Sequence, residues 1–338
     1  MGASLVPLLI VLAPQVALSA LQLGVPVLAP AVIAAMGRPP EAVGALAGTM
    51  GLGAVWLFAA NRGVTPVLGP WRALVSACLL SVAGAALVLS GIWAAALVGA
   101  ATIGFGYAIT APAGSQFLSA HTPRRPWGTL FSIRQSGVPA GGALAGLFGA
   151  GLAAAYDWRA GLMALAAMPL VSAGLLAVAP ERFRGGASGV RFRLAPLIDP
   201  VNLIRPLQAL RRMPKLVPLA VASLGFAMAQ GCTLAFFTTY MTDGLGLNLA
   251  LAGAIGLFVA IWNGLFLADL AKVAPEGEVG EATDSATFFT FVAYMVAPPL
   301  FATRVWVTGY SVAYLCVALA VLSAGPVRLA GSRPAEHG

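Results

Sequence analysis

The sequence predicts an all-α integral membrane protein, with about ten spanning helices divided six and four between two bundles. Three observations carry this. Of 338 residues, 59% are hydrophobic and only 9% are charged, with a mean hydropathy of +0.90. A soluble domain carries about 25% charge, so this chain cannot cover a water-facing surface. Apolar runs of spanning length recur along the whole chain, and the basic residues fall almost entirely on alternate connections between them.

The first run covers 5–34. "VALSA" at 16–20 resembles a signal-peptidase site, but no basic segment precedes it and the run continues past Leu28, so it reads as a span. "MGASLV" has no Ser or Thr at position 6, and the myristoylation pattern fails. Runs at 42–60, 72–90, 93–119, 128–155 and 160–179 complete a first unit, residues 1–180. The longest connection, 181–215, opens with the flexible, basic "GGASGVRFR". It closes with "PVNLIRPLQALRRMPK", which fits a short interfacial helix with its basic face on anionic headgroups. Runs at 216–240, 250–271, 285–305 and 309–327 form a shorter second unit, residues 216–338.

With the N-terminus inside, the inner loops and tail hold Arg62, Arg72, Arg124, Arg125, Arg182, Arg184, Arg191, Arg193, Arg205, Arg211, Arg212, Lys215, Lys272, Arg328 and Arg333. Outside remain Arg38, Arg159 and Arg304. This asymmetry predicts that both termini are cytoplasmic. The net charge of +8 sits in short loops between apolar runs, which points to a bilayer and not to nucleic acid. Cys78, Cys232 and Cys316 each lie inside an apolar run, with neither disulfide nor metal spacing. No HExxH, GxSxG or phosphate-loop signature is present, so no catalytic residue, metal or cofactor is implied and the chain does not read as an enzyme.

The two units repeat each other weakly. "LVPLLIVLA" at 5–13 matches "LVPLAVASL" at 216–224, and "ALAG" at 45–48 matches "ALAG" at 250–253. "TPRRPWG" at 122–128 matches "APEGEVG" at 274–280 in its proline and glycine. Between the last two matches the offset falls from 205 to 152, about two helices and a loop. The second unit therefore reads as lacking two crossings, with 250–271 as a hybrid helix that opens like a second span and ends like a fourth. Losing two crossings keeps the in/out parity of the charges.

A parallel six-helix repeat joined by a basic loop, with "GPWRAL" after span 2, "RQSGVPAGG" in span 5, "YDWRAG" at its outer end and "WNGLFLADLAKVAPEGEVGEAT" before the penultimate span, resembles the major facilitator superfamily. The resemblance implies a secondary active transporter in the cytoplasmic (inner) membrane, working by alternating access on a small-molecule substrate. It also implies a cavity lined by the first and fourth helices of each half. The family's loop between helices 2 and 3 usually carries an Asp-Arg pair, where Pro66 and Val67 stand here. Asn61, Arg62 and Arg72 are the candidate gate residues of this loop.

Arg134 is the one cation well inside a span. Two readings stand: an anion or carboxylate contact in the cavity with Gln135 beside it, or a side chain snorkelling to the headgroups from about 9 Å deep. Asp269 is the nearest acidic candidate to pair with it. Gln15 and Gln22 in span 1, Gln230 and Thr233 in span 7, and Trp262 and Asn263 in span 8 are the other polar candidates; amides in spans also serve simply to tie helices together. Gly137 and Gly141, and Gly142 and Gly146, are spaced by four for close helix packing, and Pro139 bends the helix. No Asp, Glu or His sits at the middle of a span, so the sequence offers no proton carrier and leaves the coupling ion open. Transport of a small organic solute, anionic if Arg134 contacts it, is the leading expectation. The alternative is an internally deleted relative without transport.

Overall fold

The computed structural model describes residues 2–38, 42–185, 197, 199–239, 266, 269–270, 272–275 and 278–331. Six apolar helices occupy the first half: α1 (Gly2–Ala35), α2 (Ala42–Ala60), α3 (Pro70–Leu89), α4 (Trp93–His121), α5 (Trp127–Ala155) and α6 (Trp158–Ala177). The second half contains α7 (Val217–Thr239) and α8 (Val279–Gly331), the latter broken at Gly309, whose φ of 78° only glycine adopts readily. The two parts of α8 correspond to the last two expected spans. The expected hybrid helix over 250–271 lies almost wholly outside the described residues.

Of the described helices, α1, α3, α4, α5 and α6 are long and apolar enough by themselves to cross a bilayer. Their outward faces carry exposed Leu9, Leu52, Leu79, Val98, Leu147 and Leu175, as a lipid-facing surface requires. α1 runs unbroken through Pro7, Pro14, Pro26 and Pro30. In α6, the Asp157 carboxylate accepts from the Ala160 amide at 2.8 Å and caps the helix, which accounts for the aspartate of "YDWRAG".

Close packing depends on small residues. A Cβ added to Gly104 would lie 1.9 Å from the Met50 carbonyl, and one on Gly53 would lie 2.0 Å from that of Ala101. α2 and α4 therefore cross backbone to backbone. α5 is not one smooth helix: it breaks at Ser136, and Ala145–Ala150 is π-helical. Pro139 explains the break, since it lacks an N–H and its ring crowds the Gln135 carbonyl, four residues back.

Two clusters dominate the core of the described residues, beside a small one of Cys232, Ala297, Phe301 and Ala313 in the second half. One, from Leu21, Leu46, Ile103, Leu162 and their neighbours, belongs to α1–α6 alone. The other joins the halves: Phe117, Phe131 and Leu176 are continuous with Leu270, Ala282 and Phe288. It lies toward the end of the bundle that carries most of the arginines, called here the basic end. Beside it, Pro200–Arg212 meets Pro214–Gln230 at 101°, and Val201, Leu203, Ile204 and Leu207 stay exposed. This is the geometry expected of a helix lying flat on a membrane surface.

Candidate functional site

A cavity of about 250 Å³ opens between the halves. It is smaller than two apolar grooves on the outer helix faces, of about 1280 and 800 Å³, whose walls include exposed Leu52, Leu79, Val98, Leu9 and Val171. Those grooves face lipid. Of these three, the inter-half cavity is the one whose described lining gathers polar side chains: Gln15 and Gln22 from α1, Tyr107 and Thr110 from α4, Arg134 and Gln135 from α5, Gln230 from α7, and Thr287, Thr290 and Tyr294 from α8. Phe58, Phe266 and Phe291 close its apolar sides.

Arg134 is 1% exposed and turned inward. Its guanidinium donates to Ser115 Oγ at 3.2 Å, Gln15 Oε1 at 3.2 Å and the Thr110 carbonyl at 3.1 Å. It therefore does not snorkel. The first helical segment of α5 ends at Gln135, and the break at Ser136 follows directly. Gly114 makes room on α4: a Cβ there would lie 3.0 Å from Arg134 Cζ and Nε. Arg134 Nε is buried without a partner, and among the described residues no carboxylate pairs with the guanidinium. Asp269, the expected acidic candidate, instead meets Lys272 at 3.6 Å. A buried cation held only by neutral groups is a site of unbalanced positive charge.

The amides around it are ordered. Gln15 Nε2 reaches Ser19 Oγ at 3.4 Å while its Oε1 faces Arg134. Gln22 Oε1 is buried without a partner. The Tyr294 hydroxyl donates to Gln230 Oε1 and ties α8 to α7. The cavity thus offers a cation, several amides and hydroxyls, and aromatic walls, an arrangement that can hold a small polar molecule with negative charge.

Five expected contacts, Gln15, Gln22, Arg134, Gln135 and Gln230, share this one cavity. Trp262, Asn263 and the side chains of Thr233 and Arg62 lie outside the described residues. The lining also departs from the first-and-fourth-helix scheme, because α5 and α8 supply much of it. Tyr107, Thr110, Thr287, Thr290 and Tyr294 were not singled out in the sequence. Tyr107 and Thr110 had a signal, lying three apart on a helix already assigned to the cavity.

The packing glycines divide. A Cβ on Gly137 would meet Gln15 Cγ at 3.0 Å, one on Gly141 would meet Ser19 Cβ at 2.5 Å, and one on Gly142 would meet Leu23 at 3.3 Å. Half-buried Pro139 sits among them. Gly146 is a correction: it is exposed, with nothing within 4 Å of an added Cβ, because the π-helical turn carries it away from α1. The face of Gly137 and Gly141 is closed by α1 of its own half, and lies neither open to lipid nor against the second half.

At the basic end, Asn61 follows α2 and is 2% exposed. Its Oδ1 accepts from Thr65 N at 3.2 Å and Thr65 Oγ1 at 2.6 Å, which aims its Nδ2 at Asp284 of α8. Arg72 is exposed on the third residue of α3 and takes no part. Asp284, 7% exposed, is a buried carboxylate that the sequence reading did not single out; it lies at the start of a span, where a search of span centres misses it.

A family model described as the Major Facilitator Superfamily matches residues 8–333. The chain belongs to the major facilitator superfamily. Solved superfamily structures share its fold. The human organic anion transporter MFSD10 (TETRAN) aligns at a TM-score of 0.73 with 12% identity, over 96% of this chain and 98% of that one. The E. coli fucose:proton symporter FucP aligns at 0.70 with 14% identity, over 98% and 100%. The proton:xylose symporter XylE, bound to 6-bromo-6-deoxy-D-glucose, aligns at 0.69 with 14% identity, over 97% and 96%. No curated protein sequence matches. Membership makes the chain a membrane transporter and not an enzyme. At 338 residues it is shorter than is typical of the superfamily, consistent with loss of about two helices from the second half.

Proposed function

We propose that this superfamily member is a secondary active transporter of a small organic anion, which it binds in the inter-half cavity with Arg134 as the anion contact. The observation that carries the reading is a guanidinium held deep in the bundle by Gln15, Ser115 and Thr110, with no carboxylate among the described residues to balance it. An anion supplies that balance. Gln22, Gln135 and Gln230 orient the remainder of the solute, and Tyr107 and Tyr294 flank it. The organic anion transporter among the structural relatives is consistent with the same class.

The units 1–180 and 216–338 then rock about this site, with 181–215 as the cytoplasmic linker. The basic end is the cytoplasmic end of a protein in the cytoplasmic (inner) membrane, both termini inside, by the charge asymmetry. The shortened second half favours one competing reading, a binding protein that no longer transports.

The test is thermal stabilisation of the purified protein by a panel of small carboxylates, amines and neutral sugars. Carboxylates alone should raise the melting temperature. Stabilisation by amines or sugars and not by carboxylates contradicts the anion assignment.

A further inference from the structure

We propose that Asp284 is a proton-binding site that couples protonation to opening of the basic end. This rests on the transporter reading and adds the coupling ion that the reading lacks.

Asp284 lies in the second turn of α8, at the junction of the halves. One carboxyl oxygen, Oδ2, accepts from Asn61 Nδ2 of the opposite half. The other, Oδ1, is buried without any hydrogen-bond partner. The partner amide is neutral and cannot rotate freely, because Thr65 holds its oxygen.

Few other titratable or charged groups lie around this part of α8 among the described residues; Glu278, half-buried, immediately precedes the helix. α2 has none. On α4, Tyr107 packs on Phe291, about two turns further along α8, and His121 stacks between Phe117 and Phe183. On α7 the only such group is Cys232, packed with Ala297 and Phe301. From the linker, Arg205 pairs with Asp199, Arg212 pairs with Glu281, and Arg211 and Lys215 are exposed. Arg62, whose side chain is not among those described, adjoins Asn61. Glu281, one turn before Asp284 on α8, carries a like charge. No described cation is bonded to Asp284.

A carboxylate buried on a neutral amide and beside another carboxylate is expensive as an anion, and a proton removes that cost. A metal ion would need a shell of several oxygens; among the described residues only Asp284 Oδ1 and, one turn on, buried and unpartnered Thr287 Oγ1 remain. A proton needs one. Asn61 and Asp284 belong to opposite halves, so any opening of the basic end separates them and wets the carboxyl. The O–H bond formed at Asp284 while the halves are joined is then broken, and the proton passes to water at the basic end. Proton binding and closure of that end are thus linked, and each favours the other. The same face of α8 carries Thr287, Thr290 and Tyr294 into the cavity, so solute and proton act on one helix.

The experiment measures a spin-label distance across the basic end, with labels at Arg125→Cys and Val273→Cys, both exposed, on a Cys316→Ser background; Cys78 and Cys232 are buried. In the otherwise unaltered protein, the ratio of open to closed distances should rise with pH, by up to tenfold per pH unit for one linked proton. Asp284→Asn, which keeps the shape and the bond from Asn61, should stay closed at every pH. Asn61→Leu should favour the open distance and shift the transition to lower pH. A pH-independent distance in the parent, or an unchanged transition in Asp284→Asn, overturns the proposal. Solute exchange without a gradient tests the transporter reading separately: its absence in the parent sinks that reading, while the distances still decide this one.

Discussion

Replacing Arg134 with methionine separates a binding arginine from a structural one. Methionine keeps much of the apolar stem and removes the charge. The side chain then loses three hydrogen bonds from a charged donor, each worth about 1.5–3 kcal/mol. Against that stands the desolvation of a guanidinium that no described carboxylate partners, several kcal/mol in effect. Gln15 keeps its Nε2 bond to Ser19, while its Oε1 loses the Arg134 donor. The opposing terms nearly cancel, and the ligand-free Arg134→Met protein should lie within about 2 kcal/mol of the parent. Ligand response should differ sharply. An anion at a hundred times its dissociation constant stabilises the parent by about 2.7 kcal/mol. Loss of one charged contact of about 2 kcal/mol weakens binding roughly thirtyfold and removes most of that gain. Thermal unfolding in detergent, with and without the best carboxylate of the panel, reads both quantities. A variant that melts far below the parent yet responds fully to the anion would make Arg134 a structural tie and refute the reasoning.

Other consequences are simpler to read. Gly141→Ala drives a methyl into Ser19 and Ala20 of α1 and should cost about 1–3 kcal/mol, whereas Gly146→Ala meets nothing and should be neutral or slightly stabilising; melting temperatures compare them directly. Tyr294→Phe removes the donor to Gln230 and should weaken solute binding about fivefold to tenfold while the protein still folds, as isothermal titration would report. Cysteines placed one at a time at Gly2, Ser90, Gly189, Asp243 and Ser332 should react with an impermeant reagent from outside only at Ser90 and Asp243; labelling at Gly189 from outside would reverse the topology.

The bundle was legible because composition and charge asymmetry are one-dimensional signals: each apolar run of the first half became a helix, and the basic loops fell at one end. Span amides and the lone arginine were equally visible, since any polar residue stands out in such runs. Whether Arg134 snorkels was not legible, because that depends on the acceptors offered by Gln15 and Thr110 from other helices. Gly146 misled because small-residue spacing presumes a regular helix, and the π-helical turn from Ala145 shifts the face by which such spacing is counted. Asp284 was overlooked because its burial comes from the opposite half, through Asn61, a partner 223 residues away in sequence.

The most direct measurement is solute counterflow in proteoliposomes: exchange of a labelled small carboxylate against an internal pool, with no ion gradient. The parent protein should exchange the carboxylate that stabilises it best and should ignore the uncharged amide of the same acid. In Arg134→Met, exchange should fall to the level of protein-free vesicles. Equal exchange of acid and amide, exchange that survives Arg134→Met unchanged, or no exchange of any solute by the folded parent would contradict transport of an organic anion through this cavity.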